Sequence, residues 1–168
     1  MKFLALSLSA LFLVSCVGYQ LGETKPASLR EVRNIAVPMF VNSTLHPRAE
    51  ALATSAVAAA IVQDGTYRIV TRDHADAVLE GNLRSITYSN IRGVRLDTLR
   101  PEELANTVTL EWTLRDAKNP TKVLANGKST GSSEFFATSN LQTARNNALP
   151  DALQRAGVAL VSRIANGY

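Results

Sequence analysis

Cys16 is the only cysteine in the chain, and it is the residue best placed for covalent chemistry. It follows Leu13-Val14-Ser15. Small residues before it suit a peptidase groove, and its thiol is the only side chain there nucleophilic enough to accept a diacylglyceryl group. Acylated in that way, it cannot serve as a catalytic nucleophile. The remaining candidates are weaker. His46 and His74 fall in connecting segments. Asp73, His74 and Asp76 are metal-ligating types without a metal-ligand spacing, and a solvated turn is the simpler reading. No serine sits in a nucleophile elbow, and no Gly-rich phosphate loop follows a strand. No catalytic residue, metal or cofactor is therefore expected, and the chain reads as a non-enzyme. The segment that stands apart is 89–105, where Arg92, Arg95 and Arg100 alternate with Ile91, Val94, Leu96 and Leu99. A guanidinium fork binds phosphate, and the aliphatic residues suit a ligand that is anionic at one end and apolar at the other. The plain alternative is a solvated loop, since Asp97, Glu102 and Glu103 can neutralise the arginines. Lys122 and Lys128 would extend the basic rim, against the same alternative.

Upstream of Cys16, Lys2 is followed by an apolar run over 3–14. A membrane span needs about 20 apolar residues, so this run fits the core of a secretory signal instead. Signal and cysteine together match the bacterial lipobox, in which the sulfur is lipidated and the chain is cut before it. The plain alternative is an ordinary signal with a stray thiol. Each buried methylene contributes about 0.8 kcal/mol, so two or three acyl chains hold a protein stably on a bilayer. Val17 stands where an Asp would retain a lipoprotein in the inner membrane, which leans toward the inner leaflet of the outer membrane. The organisation expected is a signal peptide over 1–15, a lipidated N-terminus and tether over 16–33, part of which can pack on the domain, and one domain over 34–168.

Composition agrees with a single domain. The chain has 168 residues, 18 Lys+Arg against 14 Asp+Glu, and 46% hydrophobic residues, which argues against a wholly disordered chain. A net charge of +4 without a concentrated basic stripe argues against a nucleic-acid partner.

The elements follow from periodicity. Residues 34–40 read as a strand ended by Pro38 or placed at an edge. Asn42-Ser43-Thr44 offers N-caps, and an alanine-rich helix spans 47–63, with Ala49, Leu52, Ala53, Ala56, Ala60 and Gln63 on one face and Asp64-Gly65 as its stop. Residues 66–70 form a short extended piece. Residues 78–89 are a strand whose alternation slips between Leu83 and Ile86, which predicts a bulge. Residues 106–115 alternate cleanly, with Val108, Leu110, Trp112 and Leu114 on the buried side. A hairpin at Asn119-Pro120 leads to a partner strand over 122–136, where Gly127 and Gly131 mark weak points or bulges. Leu149, Leu153, Ala156, Leu160 and Ile164 form the core stripe of a final helix over 141–166, which Pro150 either begins or kinks. The fold class expected is α+β, with two helices on one face of a mainly antiparallel four-stranded sheet in β-α-β-β-β-α order.

Gly18-Tyr19-Gln20-Leu21 after the lipobox, Ile35-Ala36-Val37-Pro38-Met39-Phe40-Val41-Asn42-Ser43-Thr44, Asp64-Gly65-Thr66-Tyr67-Arg68-Ile69-Val70, Ala75-Asp76-Ala77-Val78-Leu79-Glu80-Gly81 and the closing helix together resemble the LPS-assembly lipoprotein family, LptE. Val17 departs from members that place Gly directly after the cysteine. The resemblance implies an outer-membrane lipoprotein that plugs the LptD barrel and helps insert lipopolysaccharide into the outer leaflet. It also implies direct lipopolysaccharide binding by basic residues, without saying which. The strand-then-helix pattern also occurs in lipoproteins related to the curli channel and to activators of penicillin-binding proteins. A generic structural periplasmic lipoprotein is a third reading.

Overall fold

The computed structural model describes residues 25–91, 103–136 and 140–167. Six strands and two helices follow in the order β1 (Asn34–Ala36), β2 (Val41–Asn42), α1 (Ala49–Asp64), β3 (Arg68–Ile69), β4 (Ala77–Asn90), β5 (Glu103–Asp116), β6 (Val123–Phe136) and α2 (Leu141–Asn166). They form one mixed sheet ordered β3-β1-β4-β5-β6, with β2 also pairing with β4. The long strands β4, β5 and β6 are antiparallel. The short strands β1, β2 and β3 pair in parallel.

The expected four-stranded count is therefore corrected to six. Pro38 has no N–H to give to a ladder, and the 34–40 segment pairs only as far as Ala36, with a separate two-residue strand starting at Val41, just past it. β1 is nonetheless internal, lying between β3 and β4. The sixth strand is the short extended piece at Arg68–Ile69.

Helix α1 starts at Ala49, and Asn42-Ser43-Thr44 does not cap it. Arg48 occupies the N-cap position at φ 62 with no side-chain cap. The Asn42 amide instead donates to the His46 carbonyl at 2.8 Å and to Glu50 Oε2 at 2.9 Å, tying the loop to the first helical turn. The buried face also differs from expectation. It runs through Ala49, Ala53, Val57, Ala60 and Ile61, while Leu52 is 40% exposed. The small alanines matter because α2 lies close: a Cβ on Gly157 would come within 3.1 Å of the Ala56 carbonyl oxygen. Gly65 ends α1 at φ 79, donating its N–H to the Ile61 carbonyl.

The slip in β4 is a register shift between Leu83 and Ser85, opposite Leu110 and Thr109. In β5 the predicted alternation holds, and Val108, Leu110, Trp112 and Leu114 are buried. Gly127 and Gly131 of β6 are not bulges; the β5–β6 irregularity falls at Leu114/Arg115. They are points of close approach instead. Gly127 lies under the Trp112 indole, and Gly131 lies against the α2 backbone at Ala152 and Ala156. Leu149, Leu153, Ala156, Leu160 and Ile164 are fully buried. Helix α2 begins well before Pro150 and continues through it. Pro150 faces solvent, where the carbonyl it leaves unpaired can be hydrated.

Leu29 and Val32, upstream of β1, join the same core as both helices and the inner sheet face. Asp76 holds this segment in place. Its carboxylate accepts the backbone N–H groups of Asn34 at 2.8 Å and Arg33 at 3.0 Å. Those two bonds, Asn34 first, hold its carboxyl below the ordinary carboxylate range.

A polar sheet face as candidate docking surface

With the helices and core on one side, the long strands turn a second set of side chains outward. Register sets them in rows. Asn82, Glu111 and Lys128 form one row, and Glu80, Thr113 and Asn126 the next. Beyond the β4 bulge come Ser85, Thr109 and Thr130, then Thr87, Thr107 and Ser132. Each long strand has 14 residues, so the face is about 45 Å long at 3.3 Å per residue. Threonine favours a pleated, half-covered surface, and its hydroxyl can find a partner locally or across an interface.

Local partners account for only part of that capacity. Thr107 and Ser132 hydroxyls lie 3.2 Å apart, Thr87 donates to the Thr107 carbonyl at 3.3 Å, and Ser43 donates to Asn82 Oδ1 at 2.9 Å. Two ion pairs lie on the face, Arg115 with Glu80 at 3.0 Å and Lys128 with Glu111 at 3.1 Å, and Glu134 lies beyond them opposite Ala105. The result is a hydroxyl-rich surface with few net charges, with exposed Val41 at its edge. A shallow open depression of about 520 Å³ lies among Val41, Asn82, Glu111 and Lys128. Such a surface suits contact with another polar, hydrated wall better than enclosure of a small molecule.

Of the basic residues singled out in the sequence, Arg92, Arg95 and Arg100 lie outside the described residues, as does Cys16. Lys128 sits on the polar face. Lys122 stands in the β5–β6 hairpin, 3.5 Å from Asp116. The N–H groups of Asn119 and then Lys118 keep the Asp116 carboxyl below its ordinary range. Among the described residues, no cluster of three His, Cys, Asp or Glu side chains could hold a metal, and no helix is long and apolar enough to cross a membrane.

At the far end of the sheet lies a cluster that sequence reasoning missed. Asn106 is completely buried on the helix side of β5, and its amide has no hydrogen-bond partner among the described residues. Its register partners are Tyr88 and Ser133. The Arg145 guanidinium lies 4.5 Å from the centre of the Tyr88 ring, and Phe135 meets that ring edge-on at 6.1 Å. Burial raises the Tyr88 hydroxyl pKa, and Arg145 partly opposes the shift. The available signal was Asn106 itself, a polar residue in phase with Val108, Leu110 and Trp112.

Comparison with known proteins follows the same lines. Residues 32–165 match the model of a family described as LptE, lipopolysaccharide-assembly. None of the curated proteins compared matches the chain in sequence. Similar solved structures include a hypothetical protein of Chlamydia trachomatis, with TM-score 0.55 and 9% identity over 82% of this chain and 99% of that one. A minor lipoprotein of Acinetobacter baumannii gives 0.54 and 7% over 80% and 93%. A Xanthomonas campestris protein gives 0.54 and 15% over 77% and 81%. At these identities the likeness establishes the fold alone.

Proposed function

The chain belongs to the LptE lipopolysaccharide-assembly family, and from that premise we propose that it is an outer-membrane lipoprotein that docks inside an LptD-type barrel and helps place lipopolysaccharide in the outer leaflet. The family is one of non-enzymatic lipoproteins. The family match over 32–165 carries the reading, and the polar sheet face supports it. A barrel interior is hydrated and polar, and a hydroxyl-rich wall with few net charges can exchange water for protein hydrogen bonds there while stranding little charge. Lipidation at Cys16 holds the chain on the inner leaflet and reduces its search for the barrel to two dimensions. The loop arginines Arg92, Arg95 and Arg100 meet lipid A phosphates, whereas Lys122 and Lys128 are held by Asp116 and Glu111.

Affinity purification of the full chain from native membranes tests the proposal. A large barrel of the LptD type should copurify, and deleting the gene should deplete folded barrel and surface lipopolysaccharide. Recovery of a peptidoglycan synthase or a homo-oligomer in place of a barrel would overturn it. Reversing Arg92 and Arg95 to Glu should weaken binding of purified lipopolysaccharide, and an unchanged affinity would return the loop to plain solvation.

A further inference from the structure

The topology gathers basic residues that are scattered in sequence at one end of the domain, where β1, β3 and β4 begin and α2 finishes. Asn34 pairs with Arg68, and the Arg68 N–H donates to the Arg33 carbonyl at 2.9 Å. Ala77 pairs with Asp116, and the Tyr67 hydroxyl reaches the Ile164 carbonyl at 2.6 Å. Six cations at this end, Arg30, Arg33, Arg68, Arg72, Lys118 and Arg163, are exposed and make no ion pair among the described residues. Asp116 is paired with Lys122, while Asp76, held by backbone N–H groups, keeps its charge within the field of Lys118 and Arg33. Asp76, Glu31, Asp64 and Asp73 stand against the six cations, leaving the end with a modest positive excess.

The same end receives the N-terminal segment. Lys25 donates to the Val32 carbonyl at 2.9 Å and lies 4.4 Å over the Tyr67 ring. Pro26 neighbours Gly167, just past the end of α2. Cys16 is nine residues upstream of Lys25, so a lipid on its sulfur is within about 30 Å of this end. The long strands extend about 45 Å away from it. An anchor on that leash brings the basic end, and not the far end of the sheet, to the bilayer.

We propose that this end is a headgroup-binding surface for an anionic phospholipid bilayer, a second attachment that orients the lipid-anchored domain upright. The proposal rests on the anchoring of Cys16 given above. It adds that the surface of the leaflet, and not the acyl chains alone, holds the domain. Unpaired, exposed guanidinium groups suit this role, because they meet phosphate oxygens without first breaking an internal ion pair. Two or three acyl chains already hold the protein on the bilayer, and a basic patch on the folded domain adds a fixed direction.

Flotation with vesicles tests it, using the unlipidated chain from Val17 onward. Among the described residues, every buried core side chain lies between Leu29 and Ala165, and this chain keeps all of them. Binding to phosphatidylcholine vesicles containing phosphatidylglycerol should exceed binding to phosphatidylcholine alone and should collapse at high salt. Each basic side chain at an anionic surface contributes a factor of roughly five, so Arg30→Glu with Arg163→Glu should weaken binding at least about 25-fold. Arg84→Glu with Arg155→Glu makes the same charge change elsewhere and should leave binding within about twofold. Thermal unfolding of each variant checks its fold, and Arg30→Gln with Arg163→Gln serves if reversal destabilises. No preference for anionic vesicles, or equal losses in both pairs, overturns the proposal. Mass spectrometry of Cys16 tests the anchor separately. A lipidated cysteine without headgroup preference sinks this inference alone, and an unmodified cysteine with the preference intact sinks the anchoring instead.

Discussion

Gly131→Ala places one methyl group between β6 and α2, where backbone faces backbone. Its Cβ would fall well inside contact with the Ala152 carbonyl oxygen and the Ala156 nitrogen, and 2.9 Å from the Arg155 carbonyl carbon. No rotamer change relieves a clash between backbone atoms, so α2 must move outward by about 1 Å to restore carbon contacts near 3.5 Å. That shift loosens Leu149, Leu153 and Leu160, all fully buried. Overpacking costs about 1–3 kcal/mol, and the rigid surroundings place this site at the upper end. The better strand propensity of Ala returns less than about 1 kcal/mol. We therefore expect a loss of about 2–3 kcal/mol, or a melting temperature lower by about 5–10 °C for a domain of this size. Urea unfolding should show a lower midpoint at an unchanged slope. Gly65→Ala is the comparison: nothing lies within 4 Å of its Cβ, and φ +79 alone costs about 1–2 kcal/mol. A Gly131→Ala protein as stable as wild type, or more stable than Gly65→Ala, would refute the close approach of α2 to β6.

Other consequences are smaller. Tyr67→Phe removes the 2.6 Å bond to the Ile164 carbonyl in the last turn of α2, where no helical N–H is available, and should cost about 1 kcal/mol in chemical denaturation. Asp76→Asn should cost about 1 kcal/mol at neutral pH. Because the folded carboxyl titrates below its ordinary value near 3.8, its contribution is complete above that pH and is lost as pH falls through the folded value. Wild type and Asp76→Asn should therefore converge in stability in acid, and a gap that persists there would exclude the carboxylate as its source. Asn106→Val replaces a buried amide, without partners among the described residues, with a strand-favouring apolar side chain, and thermal unfolding should show a gain of about 1 kcal/mol. A loss would mean that the amide is satisfied in solution.

Strict periodicity made β5 and the α2 stripe legible in sequence, because a one-residue error would have turned Trp112 or Leu153 to solvent. The β4 bulge was readable for the same reason, as a break in phase between Leu83 and Ile86. Where pairing is short the pattern weakens. Two-residue β2 and β3 carry no period, and pairing ends at Ala36, before Pro38, in a run that composition alone reads as a strand to Phe40. Asn42-Ser43-Thr44 had capping chemistry, but the Asn42 side-chain oxygen accepts from the Thr44 N–H and hydroxyl instead of from a helical N–H. Gly127 and Gly131 were conspicuous in sequence, yet only packing against Trp112 and α2 shows what they permit. Of the surfaces, the outward threonines of β5 were visible in advance. Their alignment with Thr130 and Ser132, and the convergence of Arg30, Arg68 and Arg163, depend on contacts distant in sequence.

Photocrosslinking from the polar sheet face tests the central claim most directly. A photoreactive residue in place of Thr109 or Thr130, on the full chain in native membranes, should join the protein to a large outer-membrane barrel. The same residue at exposed Val158 of α2 provides the comparison, since the helix side is not the proposed contact. A barrel adduct from Thr109 and Thr130 that is weak or missing from Val158 is the predicted result. Adducts from the sheet face only to a second copy of the chain, or barrel adducts of equal strength from Val158, would contradict docking through this face.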